Sequence, residues 1–349
     1  MTKLLLFAAG FGVLFSSFLF SPSSSAQSTN VAPTPTPPVL QAAVPTPTPT
    51  PNPEDDVIKI DTELVNLNVK VVDRFNRPIN NVPQSDFTIF EDGIPQQIDF
   101  FSRAEVPTNY SLVIDNSGSI RSQIDKVIDA GKILVATNRP DDETSVIRFV
   151  SSDKIEVLQS FTSSADDLNY ALDNMYIEGG QTAIIDAIYL AATTVNEYDS
   201  KTRDVDRKRR ALVVVTDGED RDSYYSEAQL FELLRETDVQ IYVIGFVSDL
   251  SKDRGFISKS PQGKAKGFLE RMAKETGGKA YFPQSTNDLA GIATEIGAEL
   301  RTQYSIGYIP TNDRSDGTFR NIRVTIKDGP DKQKRMAVTK TGRVADTQK

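Results

Sequence analysis

Residues 111–120 read SLVIDNSGSI, an apolar run that closes in a loop carrying one carboxylate and two hydroxyls. Leu112, Val113 and Ile114 show no alternation, which suits a strand buried on both faces of a parallel sheet. Asp115 stands at its end. Asn116, Ser117, Gly118 and Ser119 are turn formers whose side chains can also satisfy backbone donors where a strand hands over to a helix, so this loop alone is compatible with a purely structural role.

The same pattern recurs along the chain. Short apolar strands are expected at SVIRFV from Ser145, ALVVVTD from Ala211, IYVIGFV from Ile241 and, more weakly, KAYFP from Lys279. Amphipathic helical faces lie between them: Ile120, Ile124, Val127, Ile128 and Leu134 in one, Ile184, Ile188, Ala191 and Val195 in another, Leu230, Leu233 and Leu234 in a third. Alternation of this kind implies βαβ units and a doubly wound, mainly parallel, Rossmann-like α/β sheet, whose ligands bind at the carboxyl ends of the strands.

On both sides the period changes to that of β structure. In TELVNLNVKVVD, Val65, Leu67, Val69 and Val71 alternate with polar residues, and DFTIFEDGIPQQIDFF reads as two strands joined at Asp92-Gly93, a strong hairpin signal. After a helix through Leu289, Ile292, Ile296 and Leu300, Tyr304, Ile306 and Tyr308 alternate. Ile322, Val324 and Ile326 follow, then a last short strand through Met336 and Val338. Each β block is too small to close a core alone, about four strands in the first and three in the second. They are expected to pair into one small, all-β, sandwich-like domain in which the α/β domain is inserted or by which it is flanked. The expected boundaries are 57–105 and 304–345 for the two β segments and 106–303 for the α/β domain, with a tail at 346–349.

The 349 residues include 39 basic and 48 acidic side chains, and no cysteine, histidine or tryptophan. These absences exclude a thiolate nucleophile, a Ser-His-Asp triad, the usual tetrahedral zinc sites and any disulfide framework. Any metal must be held by oxygen. A net charge of -9 without a Lys/Arg stripe argues against nucleic acid as a partner. At the start, Lys3 precedes an apolar run from Leu4 to Phe20, and the small residues Ser24 and Ala26 fit a cleavage site. Residues 1–26 are therefore read as a secretory signal peptide; removing it deletes only Lys3 and leaves a charge of -9 minus 1, or -10. The alternative is an uncleaved anchor, the one route by which this chain would contact a membrane, since no cysteine is present to carry a lipid. Residues 27–56, rich in proline and threonine, read as an extended spacer of polyproline character.

Three strand-end regions bring oxygen ligands together. Asp115-x-Ser117-x-Ser119 follows the first strand, GGQT places Thr182 at the start of a helix, and VVVTDGED places Asp217 directly after a buried strand. Two carboxylates balance a doubly positive ion, and three neutral hydroxyls complete its shell while leaving it electrophilic. The set suits one divalent cation, Mg²⁺ with Mn²⁺ able to substitute, and an anion as its last ligand. D-x-S-x-S, G-x-T and T-D-G in this order resemble the metal-ion-dependent adhesion site of von Willebrand factor type A (VWA) domains, over roughly Val106 to Gln303. The layout of leader, Pro/Thr spacer, FEDG-containing β segment and adhesion-type domain also resembles secreted bacterial proteins called VWFA-related. The resemblance implies a binding module rather than an enzyme, with a protein partner that donates a carboxylate to the metal, in the periplasm or outside the cell.

A hydrolase of the phosphatase kind and an envelope scaffold whose metal only staples loops are the competing readings. Aspartyl phosphoryl chemistry usually wants a second acid two residues on, where this chain has Ser117, and no P-loop occurs. NDRSDG, from Asn312 to Gly317, has a faint calcium-loop look without the regular acidic spacing or closing glutamate. SKDRGFISKSPQGKAKG, with Lys252, Lys259, Lys264 and Lys266, reads as a solvated loop, and Asp220 and Asp222 as sources of negative potential.

Overall fold

The computed structural model describes residues 64–103, 105–198, 208–251 and 260–347. The leader, the Pro/Thr spacer, the first residues of the opening β segment, Lys252 and Lys259 lie outside the described residues. Among the described residues no helix is long and apolar enough to cross a membrane.

Four strands precede the α/β domain: β1 (Val65–Val72), β2 (Phe87–Glu91), β3 (Ile94–Gln96) and β4 (Phe100–Ser102). Asp92 (φ 48°) and Gly93 (φ 83°) form the two-residue turn between β2 and β3, and positive φ at both positions is what a twist-matched hairpin requires. The domain itself runs through β5 (Thr108–Asp115), α1 (Ile124–Val135), β6 (Glu143–Phe149), β7 (Ile155–Thr162), α2 (Ala165–Asp173) and α3 (Ile184–Glu197). It continues through β8 (Arg209–Thr216), α4 (Glu227–Glu236), β9 (Val239–Gly245), α5 (Pro261–Glu275), β10 (Lys279–Tyr281) and α6 (Leu289–Arg301). Last come β11 (Tyr304–Tyr308), β12 (Phe319–Ile326), β13 (Met336–Val338) and β14 (Gly342–Val344).

The central sheet has the order β10-β9-β8-β5-β6-β7, parallel throughout except for β7, which runs antiparallel to β6. Its continuous apolar strands feed two cores. Leu112, Ile114, Val213 and Val215 face a layer with α1, α2 and α6, while Val113, Leu212 and Val214 face α3, α4 and α5. An unbroken hydrophobic run is thus the mark of a strand covered on both sides.

The two β blocks combine into paired four-stranded sheets, β13-β1-β11-β4 and β14-β12-β2-β3, each mixing strands from before and after the α/β domain. β1 pairs with β11 from Val65↔Tyr308 to Val69↔Tyr304, and β12 pairs with β2 around Val324↔Ile89. Leu67, Val69, Val82, Ile89, Ile306 and Tyr308 fill the shared core with at most 1% exposure. The α/β domain is therefore an insertion in a sandwich-like β domain.

Several details depart from expectation. The C-terminal block has four strands rather than three, because the short GRV of β14 carries no alternation long enough to read. β7 and α2 lacked a signal: β7 is an edge strand whose residues are at best half-buried, so polar side chains interrupt its pattern. Ile120 lies in a 3₁₀ turn, Gly118–Ile120, before α1 begins. From Pro261 the lysine-rich stretch is helix, not solvated loop. The Ser260 hydroxyl accepts from Gly263 N and Pro261 opens the first turn, so Ser260-Pro261 is a helix cap, although the same residue types also compose loops. Lys264 and Lys266 accordingly sit on α5.

Candidate metal centre

Asp115 ends β5 at the centre of the sheet and is fully buried. Its Oδ1 accepts from Ser117 N at 2.8 Å and its Oδ2 from the Thr216 hydroxyl at 2.9 Å. Burial, opposed by hydrogen bonds from Ser117 and reinforced by the nearby charge of Asp217, pushes its carboxyl up to about 6. Ser117 is 1% exposed and shares a 2.8 Å hydroxyl contact with Ser119, which stands exposed in the 3₁₀ turn. Asp217, 4% exposed, follows β8 directly and accepts from Glu219 N at 3.0 Å. Thr182 is buried two residues before α3, and the link the structure gives it to the third loop runs through its carbonyl, which accepts from Arg221 N at 2.8 Å.

Thr216 holds the first and third loops in register. Its hydroxyl donates to Asp115 and accepts from Gly218 N at 3.0 Å. Gly218 turns the chain with φ 80°, and a Cβ there would stand 2.8 Å from Leu269 Cδ1. Asn116 ties the first loop to the second: its Nδ2 donates to the Tyr176 carbonyl at 2.5 Å and its own carbonyl accepts from Glu178 N. Gly180, at φ 145°, passes where a Cβ would lie 2.6 Å from Val150 Cγ1.

Asp186, in the first turn of α3, clasps the outer part of the third loop. It is 2% exposed; its carboxylate accepts from Tyr224 N and Tyr225 N, each at 2.8 Å, and from the Ser152 hydroxyl at 2.5 Å. Its own N–H donates to Ser223 Oγ. Asp220 and Asp222 join the same fabric, accepting from Ile185 N and Ser152 N respectively, so they brace loops as well as adding charge. Sequence reasoning gives Asn116 only as a turn former and Thr216 only as part of T-D-G, and it passes over Asp186. The usable signal was Asp186 itself, a carboxylate set among Ile184, Ile185, Ala187 and Ile188 on a helix that is otherwise buried there.

The donor set fits a hard divalent cation. Asp115 and Asp217 are two nearly dry carboxylates, the charge of Asp217 bears on Asp115, and among the described residues neither forms an ion pair with a lysine or arginine. Among those residues, too, no point gathers three or more acidic side chains in metal-holding proximity, so a cation here would rest on two carboxylates and neutral hydroxyls. The Asn312–Gly317 loop offers no rival: Asp316 is engaged by Arg320 at 3.0 Å and by Thr318.

Residues 111–295 match the family model described as the von Willebrand factor type A domain. No curated protein matches the chain. Among solved structures it is similar to an aerotolerance-related membrane protein from Bacteroides fragilis NCTC 9343, at 20% identity and TM-score 0.42 over 55% of this chain and 99% of that one. It is also similar to proximal thread matrix protein 1 from the mussel byssus, solved with a zinc-occupied MIDAS motif, at 18% identity and TM-score 0.44 over 56% and 48%. A von Willebrand factor type A structure from Catenulispora acidiphila aligns at 13% identity and TM-score 0.44 over 73% of each chain.

Proposed function

The chain belongs to the von Willebrand factor type A domain family, and from that premise we propose that it is a secreted or periplasmic module that binds a protein partner through one divalent cation. The observation that carries this reading is the pair Asp115 and Asp217. Two carboxylates are buried at the carboxyl ends of neighbouring strands without a basic partner among the described residues, and burial holds the Asp115 carboxyl above its usual range, an environment that a bound divalent cation would neutralise.

Asp115 and Asp217 would balance the charge of Mg²⁺ or Mn²⁺, with Ser117, Ser119 and Thr182 as neutral oxygen ligands. When bound, the cation would supply a Lewis-acidic position open to a carboxylate from the partner. Thr216, Asn116 and Asp186 hold the three loops in place so that the ligands need not be gathered at the moment of binding. Binding rather than turnover is favoured by the chain's own chemistry, which offers no histidine or cysteine as base or nucleophile. The apolar leader supports the location outside the cytoplasm.

Calorimetry with Mg²⁺ and Mn²⁺ tests the site. Asp115→Ala and Asp217→Ala are expected to abolish measurable binding and Ser119→Ala to weaken it, and the wild type should capture its partner from envelope extract only without chelator. Unchanged metal affinity in both aspartate variants would sink the assignment.

A further inference from the structure

A second recognition surface lies away from the metal centre, where the sandwich meets the far edge of the central sheet. An open groove of about 460 Å³ runs between α5 and β10 on one side and β12 and β13 on the other. Its floor is apolar, with Ala273, Ala280, Val324 and Val338.

One side of this groove is an unused strand edge. In β12 the main chain of the odd-numbered residues turns toward β2: Asn321 O accepts from Asp92 N, and Lys327 N, just past the strand, donates to Asp86 O. Even-numbered residues turn the other way, where Ile322 N donates to Thr341 O at 2.9 Å. β14 covers that side only from Phe319 to Asn321. Beyond Ile322, the N–H and C=O of Val324 therefore face away from β2, and among the described residues no strand pairs with them. Across the groove, β10 ends the central sheet, with β9 as its one neighbour among the described residues. Exposed edges are usually blunted, and an edge left open beside an apolar floor is a template for an added strand.

The charge of the groove selects what could be added. Among the described residues, Lys274, Lys279, Arg323 and Lys340 line it against a single acid, Glu270, in a chain whose acids outnumber its bases. Lys279 and Lys340 are held in ion pairs with Glu295 and Asp238, whereas Lys274 and Arg323 are exposed and form no ion pair among the described residues. We propose that this groove takes an extended, acidic segment of a partner protein as an added strand on the Val324 edge of β12. Main-chain hydrogen bonds would supply the register, and Lys274 and Arg323 would supply the preference for acidic side chains.

A fluorescein-labelled octapeptide alternating Glu and Val, capped at both ends, probes this on the purified full chain by anisotropy. Saturable binding is expected, unaffected by chelator, so the result stands apart from the metal-site reading. Lys274→Glu combined with Arg323→Glu should weaken it at least tenfold, and both changes are on exposed side chains, so circular dichroism should be unaltered. A probe N-methylated at alternate residues should bind at least tenfold more weakly, and hydrogen exchange at the Val324 amide should slow when the unmethylated probe is present. Equal binding of a Lys/Val probe, of the N-methylated probe, or of the doubly substituted chain would overturn the proposal. So would dimerisation of the chain through this groove, seen by sedimentation and abolished by the same two substitutions.

Discussion

Lys70 on β1 and Glu299 on α6 meet at 2.6 Å with both side chains buried, joining the sandwich to the inserted domain by an ion pair shut away from water. Lys70 also lies 5.1 Å from the centre of the Tyr242 ring, and burial pulls its pKa down despite the attraction of Glu299. Desolvation of two charges is expensive, so the pair's net worth is small while the loss of one partner is not. Lys70→Met should cost about 3 to 5 kcal/mol by stranding Glu299, with Lys279 at 3.6 Å holding the loss toward the lower end. The double change Lys70→Met with Glu299→Leu should recover most of it. Urea unfolding followed by tyrosine fluorescence and far-ultraviolet dichroism checks both, since the chain has no tryptophan.

The Asp186 carboxylate hydrogen-bonds to none of the five candidate ligands, yet it fixes Tyr224 and Tyr225 and, through them, the loop that begins at Asp217. Asp186→Asn is expected to lower Mn²⁺ affinity by about 10- to 100-fold, the usual cost of losing a group that orients ligands. Titration calorimetry reads this directly. A variant with full affinity would show that the third loop holds its shape unaided.

Two glycines should answer to alanine with opposite sign. At Gly218 the positive φ and the 2.8 Å approach to Leu269 oppose a side chain, and Gly218→Ala should cost about 1 to 3 kcal/mol. At Gly291, on the exposed face of α6 with nothing within 4 Å, alanine should stabilise by about 0.5 to 1 kcal/mol. Thermal melts of the two variants in chelator would separate backbone strain from any effect of metal.

Much of this architecture could be read in the chain because its signals are local. LVI before Asp115 and VVV before Thr216 announce strands covered on both faces, and Asp92-Gly93 announces a hairpin, since few other residues accept its backbone. The pairing of the outer β blocks followed from counting apolar faces that neither block could cover alone. What escaped reading depends on partners distant in sequence. β7 is recognisable only once β6 is beside it, and α5 was masked by glycines at 263 and 267 that a packed helix tolerates. Asp186 looks like an ordinary acid in a helix's first turn. Only the fold shows that two main-chain N–H groups 38 and 39 residues further along converge on it.

The interleaving of β1 with β11 and of β2 with β12 also sets an order on how the molecule can be made. Val65 must wait for Tyr308, and Ile89 for Val324, so the first four strands leave the ribosome long before the partners that cover their apolar faces exist. The inserted domain, whose parallel sheet and helices are complete by Arg301, can collapse in the interval and bring the two ends of the sandwich together, shortening a loop closure that would otherwise span the whole body. Until the last strands emerge, unpaired β1 and the open edge of the β2–β3 hairpin are the segments most exposed to aggregation, and synthesis that stalls after Gln303 would leave a folded domain carrying an unfinished one.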